Sequence, residues 1–285
     1  MAAITLVSDQ TQRAIFTDRR SALQRTVHLV VSLVKQARYS LAVFLHWHLR
    51  TDRPFKDRKL EWKPASDGLV VLVHGLGNSS SSWYSQLSLL SQYKTIDVFA
   101  PELFKRGLCS LEEAASPLLP TLLDYIQKNP GKPLCLIGTS NGGRVTAWLE
   151  TKLREASPQT SVKVSNIAGV HLGSQRMDLL EKLKVSKWFY PAALRQELQY
   201  SSSKAKELLS SINTPLPANC AHRTYEFFAT TEDLTIPDLD STLPHINHDK
   251  TYHLIHGESH SSIVTAVAEM QIKSCYDWIS LLSIA

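Results

Sequence analysis

The chain runs to 285 residues, 43% of them hydrophobic and 20% charged, which allows one sizeable core and excludes a low-complexity or disordered protein. Its formal net charge is +5, and no stretch of about 18 or more uninterrupted apolar residues reads as a membrane span. Residues 1–20 lack the basic start, apolar centre and small-residue cleavage site of a secretory signal. With Cys109, Cys135, Cys220 and Cys275 far apart and without metal-ligand spacing, reduced thiols in a cytoplasmic compartment are expected.

Residues 1–64 hold twelve Lys and Arg against five Asp and Glu, so the basicity belongs to this N-terminal extension. Within it Leu23, Val27, Val30, Val34, Ala37, Leu41 and Leu45 recur at helical spacing, opposite Arg25, Ser32, Gln36 and Tyr39. Arg50, Arg53, Lys56, Arg58 and Lys59 follow. Such a helix either packs on the main domain or lies peripherally on an anionic membrane. No recognition motif accompanies the basic residues, so nucleic acid is not an expected partner.

The main domain, residues 65–285, alternates strands and helices. Residues 69–73 form an apolar run that opens into His74-Gly75-Leu76-Gly77-Asn78, and a helix is expected over 83–92 and a strand over 95–99. A helix capped by Ser110 is expected over 111–127, with Pro117 and Pro120 disturbing it. Residues 133–137 are a short strand-type run, and apolar spacing from Val145 to Leu149 continues as a helix. A strand over 162–170 follows. Residues 175–220 break the rhythm, with Leu179, Leu180, Leu183, Trp188, Phe189 and Tyr190 among many charges, as in a helical insertion over a site. This order is that of a mainly parallel central sheet with helices on both faces and a helical cap insertion.

Between the strand ending at Ile137 and its helix lies Gly138-Thr139-Ser140-Asn141-Gly142-Gly143. A Gly-x-Ser-x-Gly turn between strand and helix is tight enough to require near-absent side chains beside the serine, and it lifts the hydroxyl above the sheet edge. Ser140 is therefore the candidate nucleophile. A serine hydroxyl needs a base, and the base needs an orienting group.

Downstream, a strand at 225–230 runs into Thr231-Glu232-Asp233-Leu234-Thr235-Ile236-Pro237, and a second at 251–256 ends in Gly257-Glu258-Ser259-His260. Asp233 is preferred as the acid over its neighbour Glu232, and Asp238 and Asp240 read as a solvated turn. His260 is preferred as the base over His256, His253 and His245, because it lies in the loop beyond the strand and before an apolar helix. Attack on a carbonyl builds an oxyanion that two backbone N–H groups stabilise. Asn141, at the start of a helix, and Leu76, between two glycines, are the candidates.

These motifs resemble the lipase and esterase branch of the α/β-hydrolase superfamily over residues 68–278. His74-Gly75-Leu76-Gly77 with Trp83 resembles its oxyanion turn, and Ile137-Gly138-Thr139-Ser140-Asn141-Gly142-Gly143 its nucleophile elbow. Asn166 to Ser174 is similar to the strand end that leads into its cap, and Tyr200 to Leu209 to a serine-then-leucine cap helix. The resemblance implies the α/β-hydrolase fold, no metal or organic cofactor, and cleavage of carboxylic esters with a hydrophobic acyl chain through an acyl-enzyme on Ser140. Thioesters and amides use the same apparatus, and a non-catalytic ligand-binding protein on this fold is the competing class.

Overall fold

The computed structural model describes residues 4–7, 20–49 and 66–284. Its central sheet comprises β1 (Ile4–Val7), β2 (Gly68–Val73), β3 (Ile96–Phe99), β4 (Leu134–Thr139), β5 (Val162–Ile167), β6 (Arg223–Thr230) and β7 (Asp249–Ile255). The spatial order is β1-β7-β6-β5-β4-β2-β3. Strands β2 to β7 pair in parallel, and only β1 runs antiparallel, at the edge beside β7. Parallel strands covered on both faces need apolar residues throughout rather than alternation. Accordingly every residue of β2, β4 and β5 is buried.

Around the sheet lie α1 (Ala22–Leu49), α2 (Tyr84–Leu90), α3 (Leu111–Ala115), α4 (Leu119–Lys128), α5 (Asn141–Ala156), α6 (Gln175–Lys182), α7 (Ala192–Leu198), α8 (Ser203–Ile212), α9 (Leu239–Thr242), α10 (Ser262–Ala266) and α11 (Ala268–Ile284). Successive strand side chains point to opposite faces, and this divides the core in two. Leu69, Val71 and Val73 pack with Leu122 and Tyr125 of α4 and Val145, Leu149 and Leu153 of α5. Val70 and Leu72 pack on the other face with Leu87 and Leu90 of α2 and Ile272, Cys275 and Ile279 of α11.

Two elements differ from their expected extents. The helix expected over 111–127 is split into α3 and α4, with Pro117 in the break and Pro120 in the first turn of α4, where a missing N–H costs no hydrogen bond. Ser110 caps α3 through a reciprocal pair: it accepts from the Glu113 N–H, and its own N–H donates to the Glu113 carboxylate at 3.0 Å. The strand expected over 162–170 ends at Ile167, because Ala168 turns to a φ of 48°. Strand β1, only four residues long, carries no periodic signal and was not anticipated.

Helix α1 turns its polar side to the domain. Ser32 is 2% exposed and donates to the Glu232 carbonyl, while Lys35 donates to the Gly257 carbonyl and pairs with Glu258. The stripe Leu23, Val27, Val30, Val34 and Leu41 faces outward, with Leu23 74% exposed. Helix α1 thus packs on the domain, one of the two expected arrangements, but through its polar side and not its apolar stripe. The basic residues 50–65 lie outside the described residues.

The register matters most for function. Val73 of β2 lies opposite Gly138 of β4, Thr139 opposite Ile167 of β5, and Thr230 of β6 opposite Ile255 of β7. Five strands therefore end nearly level, and the loops after β2, β4, β6 and β7 leave the same carboxyl edge, where open α/β sheets present their sites.

Candidate active site

Ser140 stands at the end of β4 with φ 55° and ψ −124°, a conformation that non-glycine residues rarely adopt. Two contacts hold the strained turn: the Ser140 N–H donates to the Ile167 carbonyl at 3.0 Å, and the Gly143 N–H donates to the Ser140 carbonyl at 3.0 Å. The turn is tight because α5 springs directly from it across β2. A Cβ on Gly142 would lie 2.1 Å from the Val73 carbonyl oxygen, and one on Gly138 would lie 2.4 Å from the Gly142 oxygen. Backbone atoms block both positions. Gly142→Ala is therefore expected to cost about 3 kcal/mol or more, since α5 must lift off β2 to admit the methyl group. Urea unfolding checks this, and a variant with the parent's midpoint would contradict the packing described.

Asp233 and His260 meet across the loops that follow β6 and β7. The His260 Nδ1 donates to Asp233 Oδ2 at 2.6 Å, and the acid side chain is 1% exposed. The other oxygen, Oδ1, accepts from the Thr235 and Ile236 N–H groups, each at 2.8 Å, so the carboxylate is fixed before the imidazole engages it. Burial pulls the His260 pKa down, but the adjacent carboxylate more than offsets this, and the imidazole titrates above its ordinary value. With Nδ1 engaged, Nε2 is the ring atom left to face a reacting group. The Ser140 hydroxyl makes no hydrogen bond to it among the described residues; such bonds are often long before a substrate is bound.

The neighbouring candidates are committed elsewhere. The Glu232 carboxylate pairs with Arg20 at 2.5 Å and accepts from the Gly257 N–H at 2.8 Å, tying the N-terminal segment to the loop after β7. His253 stacks on Phe228 and bonds Glu226, and His256 stacks on His28 and contacts the Thr231 hydroxyl. Asp238, expected in a solvated turn, is buried and accepts from the Gln175 N–H at 2.9 Å, joining the acid loop to α6. Asp240 accepts from the Tyr200 hydroxyl.

The turn after β2 lies against the nucleophile. A Cβ on Gly75 would approach the Ser140 Cβ to 3.0 Å. His74, fully buried, lies 2.8 Å from the Gly75 carbonyl through Nδ1, while Nε2 accepts from the Leu103 N–H at 3.1 Å. The Glu102 carboxylate stands 3.4 Å from the same Nε2, and Nδ1 donates to the Gly75 carbonyl, so the buried ring fixes the turn. Among the described residues neither the Leu76 nor the Asn141 N–H donates to a protein acceptor. Gly77, at φ 67°, takes the left-handed conformation that the turn requires.

Two supporting groups escaped sequence reasoning. Arg144, in the first turn of α5, is fully buried, and its guanidinium donates to Asn141 Oδ1 at 3.1 Å and to Glu197 Oε2 of α7 at 3.0 Å. Glu197 also accepts from the Leu111 N–H at 2.9 Å, so one buried carboxylate joins the cap, α3 and the nucleophile helix. His171 is the second. Its Nε2 accepts from Asn166 at 3.0 Å and its Nδ1 donates to the Ser241 carbonyl at 3.0 Å. Burial pushes its pKa down to about 4, which keeps it neutral and structural. The Glu197 and Ser241 partners, 53 and 70 residues away, leave no local signal.

The fold is that of the α/β-hydrolases. The structure of Est1E from Butyrivibrio proteoclasticus with bound ferulic acid aligns at a TM-score of 0.55 and 12% identity, over 78% of this chain and 94% of that one. One of the metagenome-derived lipolytic enzymes LipS and LipT aligns at 0.53 and 13% identity, over 78% and 96% of the two chains. No protein-family model matches the chain, and no curated protein matches it significantly.

Proposed function

We propose that the chain is a serine hydrolase that cleaves carboxylic esters with hydrophobic acyl groups. The observation that carries this function is the fixed Asp233–His260 pair on the same sheet edge as the strained Ser140 turn. The similarity to a lipolytic enzyme and to Est1E, at the level of fold, supports it further.

In this mechanism His260 Nε2 takes the proton of Ser140 as Oγ bonds to the ester carbon. The carbonyl electron pair moves to oxygen, where the Leu76 and Asn141 N–H groups receive the charge. Two such donors lower the barrier by several kcal/mol, because they are oriented before charge develops. Collapse expels the alkoxide, protonated by His260, and leaves the acyl group on Ser140. Water, deprotonated by the same imidazole, then attacks the acyl carbon; the C–Oγ bond breaks as His260 returns the proton to Ser140 Oγ, and the acid leaves. The hydrophobic acyl group is favoured by the fold-level similarity to a lipolytic enzyme.

A fluorophosphonate probe tests this function. The parent is expected to be labelled at Ser140, and Ser140→Ala to lose the label while keeping its fold. A folded parent that resists labelling and hydrolyses no p-nitrophenyl ester of any acyl length would instead mark a non-catalytic binding protein.

A further inference from the structure

We propose that the outward face of α1 is a docking surface for anionic phospholipid membranes, placed so that the mouth of the candidate active site lies at the lipid headgroups. The orientation of the helix is the first reason. Its domain-facing stripe is polar: His28 stacks on His256, Ser32 and Lys35 bond the loops after β6 and β7, and Tyr39 lies near Asn78 of the turn after β2. These residues recur at helical spacing and fix the helix along the edge that carries Asp233, His260 and Leu76. The opposite stripe, Leu23, Val27, Val30, Val34 and Leu41, is half or more exposed, apart from Val27 at 49%, and Leu29, Val31 and Leu33 flank it. A contiguous apolar face of this extent marks an interaction surface.

Charge selects the partner. Between Ala22 and Leu49 the helix has no Asp or Glu; Arg38 is exposed beside the apolar stripe and Arg25 is exposed on the far side, while Lys35 is held by Glu258. A second copy docked face to face would bring two basic helices together with no Asp or Glu on either to pair them. An anionic bilayer meets both the apolar stripe and the basic flanks, as interfacial helices require. The cap adds a second contact of the same chemistry: exposed Lys182, Leu183, Lys184, Lys187, Trp188 and Phe189. Arg20 and Ser32 bond the start of the acid loop at Thr231 and Glu232, and Arg176 bonds the Leu234 carbonyl farther along it. Helix α1 and the cap thus both hold the loop that carries Asp233. No helix among the described residues is long and apolar enough to cross a membrane, so the contact is with the surface.

Docking does not depend on the hydrolase chemistry, and its test is read without turnover. The full chain carrying Ser140→Ala is floated with vesicles of phosphatidylcholine alone and with vesicles of equal parts phosphatidylcholine and phosphatidylserine. It is expected to float with the anionic vesicles and to do so far more weakly with the neutral ones. Val30→Asp with Val34→Asp, both at exposed positions, is expected to weaken that binding roughly tenfold or more with an unchanged melting temperature. Trp188→Ala is expected to weaken it less. Failure of the chain to float with anionic vesicles would overturn the proposal, as would a paired Asp variant that binds like the parent. A dimer in solution that the same pair of substitutions dissociates, without vesicle binding, would assign the face to a second copy instead.

Discussion

Replacing Asp233 by asparagine is expected to lower kcat/KM toward an ester by about 10⁴-fold while leaving the fold intact. The asparagine Oδ1 retains the acceptor that the Thr235 and Ile236 N–H groups use at 2.8 Å, so the side chain keeps its place. Its amide nitrogen then faces His260 Nδ1, where a carboxylate oxygen stood at 2.6 Å. A donor there makes Nδ1 the acceptor and moves the ring proton to Nε2, the atom that must receive the serine proton. The defect is one of tautomer rather than of folding. Its pH dependence is distinctive, since the imidazole serves as base only when neutral. Activity of the parent should therefore be lost as pH falls through a pKa that Asp233 holds above the ordinary value of 6.5. In the variant burial remains and the carboxylate is gone, so the acid limb should move to lower pH. Rate profiles across pH check both effects, and a parent-like rate or an unmoved acid limb would remove Asp233 from the mechanism.

Much of this edge was legible because its determinants are local. Gly138 and Gly142 are dictated by backbone within a few ångströms, and the chain order of serine, acid and histidine follows from strands that each end in a loop at one edge. Asp233 and His260 could be singled out by position relative to their strands, although nothing local showed that Glu232 is held by Arg20 and the Gly257 N–H. The facing of α1 was not legible. Periodicity locates an apolar stripe, but which side meets the domain depends on partners 200 or more residues away in sequence, such as Glu232 and Glu258. Arg144 reads as one cation at the start of an apolar helix. Only the cap, folded over it, supplies Glu197. Long-range charge pairing is set by topology, and topology is what a single sequence encodes least directly.

The same limit applies to the cluster that should dominate stability. Glu150, in the middle of α5, is fully buried and accepts from Arg154 Nε at 3.1 Å, Arg223 Nε at 3.0 Å and the Tyr225 hydroxyl at 2.5 Å. One carboxylate thus bridges two guanidiniums, each at most 5% exposed. Burial and the neighbouring Glu150 charge raise the Tyr225 pKa, so its hydroxyl stays a donor. Removing one partner of a buried ion pair leaves an uncompensated charge in a low-dielectric interior, whereas removing all partners does not. Glu150→Leu is therefore expected to destabilise the fold by about 3–5 kcal/mol, read as a fall in the urea midpoint. Arg154→Met and Arg223→Met, added to Glu150→Leu, should recover part of that loss, because the charges leave together while the Ile212, Thr214 and Thr160 carbonyls lose their donors. Arg223 opens β6 and the acid loop follows its far end at Thr230, a separation of roughly 20 Å along the strand. The folded fraction of Glu150→Leu should accordingly keep the parent's kcat/KM. A Glu150→Leu midpoint within about 1 kcal/mol of the parent's would show that the two arginines find water or other acceptors, and that the cluster does not hold α5 to the sheet.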